Sequence, residues 1–116
     1  MTSFQSQCYE VLKKVPSGKV ITYSGLAEMV GRPKAHRAVG NAMNKNPFAP
    51  QVPCHRVVKS NADLGGFGGG SKLKIKRLQE EGVKVLDNKI VDFESILFKA
   101  INAFYRASYL SFEVVP

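Results

Sequence analysis

The sequence is short of acidic side chains: 9 Asp and Glu stand against 17 Lys and Arg in 116 residues, a net charge of +8. It is also short of cysteine, with only Cys8 and Cys54. Two thiols are too few for a disulfide framework or a structural zinc site, so reduced thiols, an intracellular setting and no bound metal are expected. No stretch approaches the ~18 apolar residues that a membrane span needs. The opening residues MTSFQSQCYEVLKK do not show a basic segment followed by an apolar run, so no signal peptide is read and a cytoplasmic location is expected. Hydrophobic residues make up 44% and charged residues 22%, which excludes disordered, collagen-like and low-complexity classes. The length suits one domain with one modest core.

The positive charge is unevenly spread. Residues 11–77 hold 13 basic and 2 acidic side chains, while the segments on either side are net acidic. A basic surface can serve solubility alone, but a stretch this one-sided sets up a field that draws in phosphate polymers.

Hydrophobic spacing divides the chain into short elements. Phe4, Cys8, Val11, Leu12 and Val15 share one helical face, with Ser3 as the expected N-cap, and Pro16-Ser17-Gly18 stops that helix. Lys19–Tyr23 reads as a short strand. A helix from Ser24, capped by that serine, ends at Gly31, and Pro33 suits the first turn of the next. On that second helix Ala35, Ala38, Val39, Ala42 and Met43 fall in one apolar arc. Arg37, Gly40, Asn41 and Lys45 lie opposite. Helix, short glycine-containing turn, helix is the helix-turn-helix pattern. A plain αα-hairpin would show the same spacing; the outer face of arginine, asparagine, lysine and small residues favours approach to a DNA groove.

Asn46-Pro47 ends this pair, and a proline-rich loop leads into Cys54-His55-Arg56-Val57-Val58. The glycine-dense segment 65–70 is neither a phosphate-binding Walker loop nor a G-x-G-x-x-G turn, which leaves a flexible turn or a loop that brings backbone close to a ligand. Further on, a helix over 72–81 capped by Ser71, a hairpin over 83–91 and a helical stretch from Phe93 to Leu110 are predicted. No linker divides the chain. Residues 1–93 are read as one domain and 94–116 as a helical tail packed on it.

Of the two thiols, Cys8 lies on an apolar helix face and reads as a small core residue. Cys54 follows a proline and precedes His55 and Arg56. A thiol is nucleophilic as the thiolate, and an imidazole that takes the proton, helped by positive charge, supplies it near neutral pH. In a regular strand adjacent side chains point apart, so Cys54 and His55 need a bend or a bridging water to communicate. A cysteine protease would also need an orienting third residue and an oxyanion hole, neither of which can be located.

Pro53-Cys54-His55-Arg56-Val57-Val58 resembles the active-site signature of the O6-alkylguanine-DNA alkyltransferases, the methylated-DNA–protein-cysteine methyltransferases. The resemblance runs in register through Tyr23, Gly31–Met43, Asn46-Pro47, the glycine-rich loop and Glu81-Gly82, covering roughly residues 4–90. It implies a mostly α fold with a small β component, a winged helix-turn-helix-like catalytic domain, acting without a cofactor on double-stranded DNA that contains O6-alkylguanine. Nothing demands a dimer, and a monomer is expected.

By the same resemblance, Arg37 fills the gap left by a flipped base, and Tyr23 presses on the neighbouring phosphate. Ala38, Gly40, Asn41 and Lys45 lie along the groove, with Arg56 among the DNA contacts. Cys54 attacks the alkyl carbon, His55 is the base through a water, Glu81 orients it, and Asn46 braces the two halves of the site. Carbonyls near Cys54 and Val57 read the guanine amine, while Phe67, Gly68 and Lys74 complete the substrate pocket. Each molecule acts once, because a thioether is not hydrolysed under mild conditions. The resemblance also implies a relative without transfer, a DNA damage sensor that binds and flips the lesion; such relatives lack the nucleophilic cysteine. Two departures stand out. Phe67 replaces the tyrosine that many members use to donate to O6, and the N-terminal domain that many relatives carry is not seen in this sequence. The match does not extend over residues 94–116.

Overall fold

The computed structural model describes residues 2–67 and 69–98. Helix α1 (Ser3–Leu12) is capped by Thr2 and not by Ser3. The Thr2 side chain accepts from Gln5 N–H and the Gln5 amide returns to Thr2 N–H, a capping box that needs Gln three residues on. Ser3 would have met Ser6, whose hydroxyl is too short to reach back. After the turn at Gly18 the chain forms β1 (Ile21–Thr22), and Thr22 caps α2 (Tyr23–Met29) by accepting from Gly25 N–H at 2.8 Å. The cap is two positions earlier than expected: Ser24 is inside the helix, and Tyr23 moves from the predicted strand to the helix start.

Gly31, at φ +83°, ends α2 in the left-handed conformation that suits glycine. The expected helix start at Pro33 is displaced, because Ala35 N–H returns to Arg32 O at 2.9 Å and closes residues 32–35 into a separate turn. Helix α3 then runs His36–Asn44. Val39, Ala42 and Met43 face inward; Ala38, expected in the apolar arc, is exposed beside Arg37 and Asn41.

Helices α1, α2 and α3 pack around Cys8, Leu12, Leu26, Met29 and Val39. One buried polar contact fixes α1 on α3: Tyr9 Oη donates to Ala42 O at 2.7 Å. Strand β2 (Val57–Val58) lies parallel to β1, pairing Ile21 with Val57 and Thr22 with Val58. Helix α4 (Ser71–Glu80) begins after Gly70 and receives no side-chain cap from Ser71, which is its first residue. Strands β3 (Val85–Leu86) and β4 (Lys89–Ile90) form the predicted hairpin about Asp87-Asn88, both left-handed at φ 51° and 61°, the geometry a two-residue hairpin turn requires. A second apolar cluster of Val20, Val58, Leu64, Leu78, Val83 and Ile90 lies under this half.

The predicted C-terminal helix is cut short. Helix α5 is only Phe93–Ile96; Leu97 turns extended and bridges Val20 in parallel, with Phe98 N–H donating to Val20 O at 2.7 Å. Pairing to the free edge of β1 replaces another helical turn. The remainder of the predicted tail, residues 99–116, lies outside the described residues. Among the described residues no helix is long and apolar enough to cross a membrane.

Tyr9→Phe removes the buried α1–α3 hydrogen bond without changing ring volume. It is expected to cost about 1 kcal/mol, read as a lower urea midpoint at constant slope.

Candidate active site

Cys54 sits in a single 3₁₀ turn, Cys54–Arg56, entered from Pro53 and closed by Arg56 N–H donating to Pro53 O at 2.9 Å. With three residues per turn, neighbouring side chains diverge by about a third of a circle, not the half circle of a strand. That is the bend the Cys54–His55 pair needs. Both residues are buried, Cys54 keeping 7% of its exposure and His55 2%. The Cys54 thiol is thus nearly covered in this conformation. Cys8 is fully buried in the α1 core, and burial pushes its thiol up to about 11.

One carboxylate organises the turn. Glu81, at the C-terminus of α4, meets His55 Nε2 through Oε2 at 2.9 Å. Arg56 Nε donates to Glu81 Oε1 at 2.9 Å, Arg56 Nη2 donates to Oε2, and Arg56 Nη1 reaches back to Val15 O at 2.7 Å. Arg56 was expected among the DNA contacts. It is turned inward here, with Nε, Nη1 and Nη2 each donating to this carboxylate or to the carbonyl beyond α1.

Burial holds the His55 imidazole below its ordinary pKa; Glu81 pulls it part of the way back, and Arg56 and Arg77 push it lower. For Glu81 burial alone acts upward, but the hydrogen bonds from Arg56 and His55 outweigh it and keep the carboxyl below its ordinary value. With a carboxylate accepting at Nε2, the neutral ring carries its proton there and keeps a lone pair on Nδ1. That Nδ1 is buried and has no hydrogen-bond partner.

Lys74 is fully buried in α4, and its ammonium donates to three carbonyls: Val57 O at 2.7 Å, Leu64 O at 2.5 Å and Gly66 O at 3.2 Å. Burial lowers its pKa to about 8, against the upward pull of a Cys54 thiolate and Asp63. The resemblance puts Lys74 near the leaving group; the structure spends its three protons on stapling the loop after β2 to that strand. Val57 is likewise buried, with its carbonyl already accepting from Lys74 and its N–H donating to Cys54 O. A second lone pair on the Val57 carbonyl is all that remains for a base.

Phe67 packs on the core, its ring face 5.9 Å from Lys74 Nζ and 5.8 Å from the Arg77 guanidinium. Gly68 lies outside the described residues. Tyr23 donates from Oη to Gly66 O at 3.3 Å and stands 6.0 Å under Lys74 Nζ. Burial raises the phenol pKa, with a smaller push from a Cys54 charge. Asn46 braces the proline-rich loop from both ends of its amide: Nδ2 donates to Val52 O at 2.8 Å, and Oδ1 accepts from Phe48 N–H at 2.9 Å. Its contacts are with the loop backbone, not with Cys54 or His55. Arg37, Ala38, Asn41 and Lys45 are exposed on α3, with Gly40 half-buried against Tyr23.

The stapling role of Lys74 went unread in the sequence, yet a signal was there. Lys74 is four residues before Leu78 and so lies on the inward face of α4.

A cysteine and a carboxylate-held histidine share one buried turn behind a helix-turn-helix. Residues 3–83 match the family described as 6-O-methylguanine DNA methyltransferase, DNA binding domain. The methylated-DNA–protein-cysteine methyltransferase of Methanosarcina acetivorans is 46% identical over 81 residues, 70% of this chain and 52% of that protein. That of Shigella flexneri is 44% identical over 85 residues, 73% of this chain and 50% of that protein. Among solved structures, Mycobacterium tuberculosis OGT in complex with DNA superposes with a TM-score of 0.70 at 40% identity, covering 71% of this chain and 50% of that one. S. pombe Atl1, in complex with damaged DNA containing O6-carboxymethylguanine, gives 0.74 at 30% identity, covering 85% of this chain and 97% of Atl1. The chain belongs to the 6-O-methylguanine DNA methyltransferase DNA-binding-domain family. It spans about half the length of the curated methyltransferases it matches.

The site makes stability acid-sensitive. His55 has a folded pKa below 6.5, so the unfolded chain binds more protons near pH 6 and stability falls as pH drops through that range. Glu81, also lowered, adds a loss as pH falls below its ordinary value of 4.5. Urea unfolding from pH 7.5 to 4 is expected to show a falling midpoint. Glu81→Gln, which strands Arg56, is expected to cost about 3 kcal/mol at pH 7 and to flatten the dependence below pH 4.5.

Proposed function

We propose that this chain transfers an alkyl group from O6-alkylguanine in double-stranded DNA to Cys54, once per molecule. The observation that carries the reading is the buried turn in which Cys54 precedes a histidine whose Nε2 is held by Glu81, leaving Nδ1 as a base. The Cys54 proton passes through a water to His55 Nδ1, and the imidazolium is stabilised by Glu81. Sγ then attacks the alkyl carbon in line. The S–C bond forms as the C–O6 bond breaks, its electron pair moves to the guanine, and the guanine, still joined to the DNA, takes up through a water the proton that His55 had accepted. Phe67 has no hydroxyl to assist that departure. The loss of one such donor costs a few kcal/mol in the barrier, so transfer is slower than with a tyrosine there.

Delivery of the base relies on the exposed face of α3. Arg37 enters the stack, the small residues Ala38 and Gly40 permit close approach, and Asn41 and Lys45 meet the backbone. Tyr23 acts at the neighbouring phosphate. Flipping is cheapest for a damaged, poorly paired nucleotide. The chain acts as a monomer, without metal or cofactor, and in the cytoplasm. Residues 1–93 form the working domain.

The likeness to Atl1 over nearly that whole protein, together with a Cys54 that keeps 7% of its exposure, supports a second reading as a damage sensor that flips the lesion without transfer. The thiol itself favours transfer. Intact mass after incubation with an O6-methylguanine duplex separates them. A gain of one methylene on Cys54, saturating at one equivalent and absent from Cys54→Ala, is expected; tight lesion binding at unchanged mass would leave the sensor. Arg37→Ala is expected to lose at least about tenfold on duplex substrate and much less on free O6-benzylguanine. Equal losses on both would remove the wedge.

A further inference from the structure

We infer that Lys59, with Tyr23 and Gly65, forms a second phosphate seat on the loop side of the site, opposite α3, which grips a phosphodiester of the strand bearing the extruded nucleotide. This rests on the proposed DNA reading and deepens it.

The Tyr23 ring is a bridge between two banks. On one side a Cβ placed on Gly40 of α3 would lie 4.0 Å from Tyr23 Cε1. On the other, a Cβ placed on Gly65 would lie 3.0 Å from Tyr23 Oη and 3.1 Å from Cε2. The same point is 3.4 Å from Lys59 Cγ, so the lysine stem and the phenol edge both border this glycine. Gly65 has φ +75°, and only a residue without a side chain admits both neighbours there.

The launch point is rigid. Lys59 follows directly on β2 and the Cys54 turn, its N–H donates to Asp63 O at 2.9 Å, and its carbonyl accepts from Ala62 N–H at 3.0 Å. Its side chain is exposed and makes no ion pair among the described residues. The acidic group on this loop, Asp63, has its Oδ1 3.5 Å from Gly65 N. Lys74, a second cation at this bank, is buried and occupied with carbonyls. Of the cations around this loop, which also include Lys89 opposite Asp63 and Arg77 over Phe67, Lys59 is the one whose stem borders Gly65. A strand lying across Tyr23 from the α3 side meets it next. With Arg37 and Lys45 on the first bank, the extruded nucleotide would be gripped on both sides of the site.

The test is binding to a duplex oligonucleotide containing one O6-methylguanine, titrated over a range of salt concentrations. Lys59→Gln is expected to bind about two- to fivefold more weakly at moderate salt and to lower the slope of log affinity against log salt by ~1. Lys59→Arg is expected to keep the parent slope. Lys13→Gln, which removes the same charge from the end of α1, is the control for net charge. A Lys59→Gln slope equal to the parent's, or a loss no larger than that of Lys13→Gln, overturns the seat. Because the readout is binding, it is independent of transfer. Failure of the parent to alkylate Cys54 sinks the transfer reading while leaving the seat's slope intact. An unchanged slope beside normal transfer sinks only the seat.

Discussion

The Glu81 carboxylate is the joint on which the site turns. It stands at the end of α4, yet it fixes both residues that follow Cys54: His55 through Nε2 and Arg56 through a forked guanidinium. Arg56 extends the joint to Val15 O, past the end of α1. Three segments distant in sequence thus meet at one ionised group, and the orientation of the 3₁₀ turn follows from it. Buried charges of this kind are tolerable only when paired and hydrogen-bonded throughout. Here each carboxylate oxygen has a nitrogen donor.

A second polar joint, Lys74, does for the glycine-rich loop what Glu81 does for the turn. Its three hydrogen bonds fasten Leu64 and Gly66 to Val57, and Tyr23 adds a fourth contact at Gly66. Glycine-rich backbone has little side-chain packing to hold it, so a buried ammonium sets a position that glycine leaves open. The result places Tyr23, Phe67 and the cysteine turn around one cation without a disulfide or a metal ligand among them.

Much of this was legible in the sequence, and what was not has definite causes. The helix-turn-helix came from apolar spacing, and the hairpin from Asp87-Asn88 between β-branched runs. Helix starts were off by a residue or two because caps compete locally: Thr2 wins over Ser3 through Gln5, Thr22 wins over Ser24 through Gly25, and the 32–35 turn delays α3. The helix expected from Phe93 stops at Ile96 because a strand edge at Val20 is available to Leu97, a long-range fact that periodicity does not contain. At the site, the Cys54–His55 pair and the distant Glu81 were visible through the resemblance. The inward turn of Arg56 was not, since an arginine beside a reactive cysteine reads equally well as a DNA contact or as a partner for a buried carboxylate. Lys74 hid in the same way, counted with the positive charge although its charge never reaches the surface.

The remaining positive charge has two separable effects. On the exposed face of α3 it would, on the proposed reading, concentrate a polyanion without reading sequence. Behind that face, Arg56 and Arg77 act on His55 in the direction opposite to Glu81, and together with burial they keep the imidazole neutral at pH 7. A basic protein that used a protonated histidine would gain a little more attraction for DNA and lose the imidazole next to Cys54 as a proton acceptor. The basic surroundings therefore do not conflict with base chemistry at His55: burial depresses the ring's basicity most, Glu81 limits that depression, and the two arginines add a smaller push in the same direction as burial. The exposed positive charge of α3 and the buried environment of His55 thus act at different depths, the second set by burial and by Glu81 before the arginines.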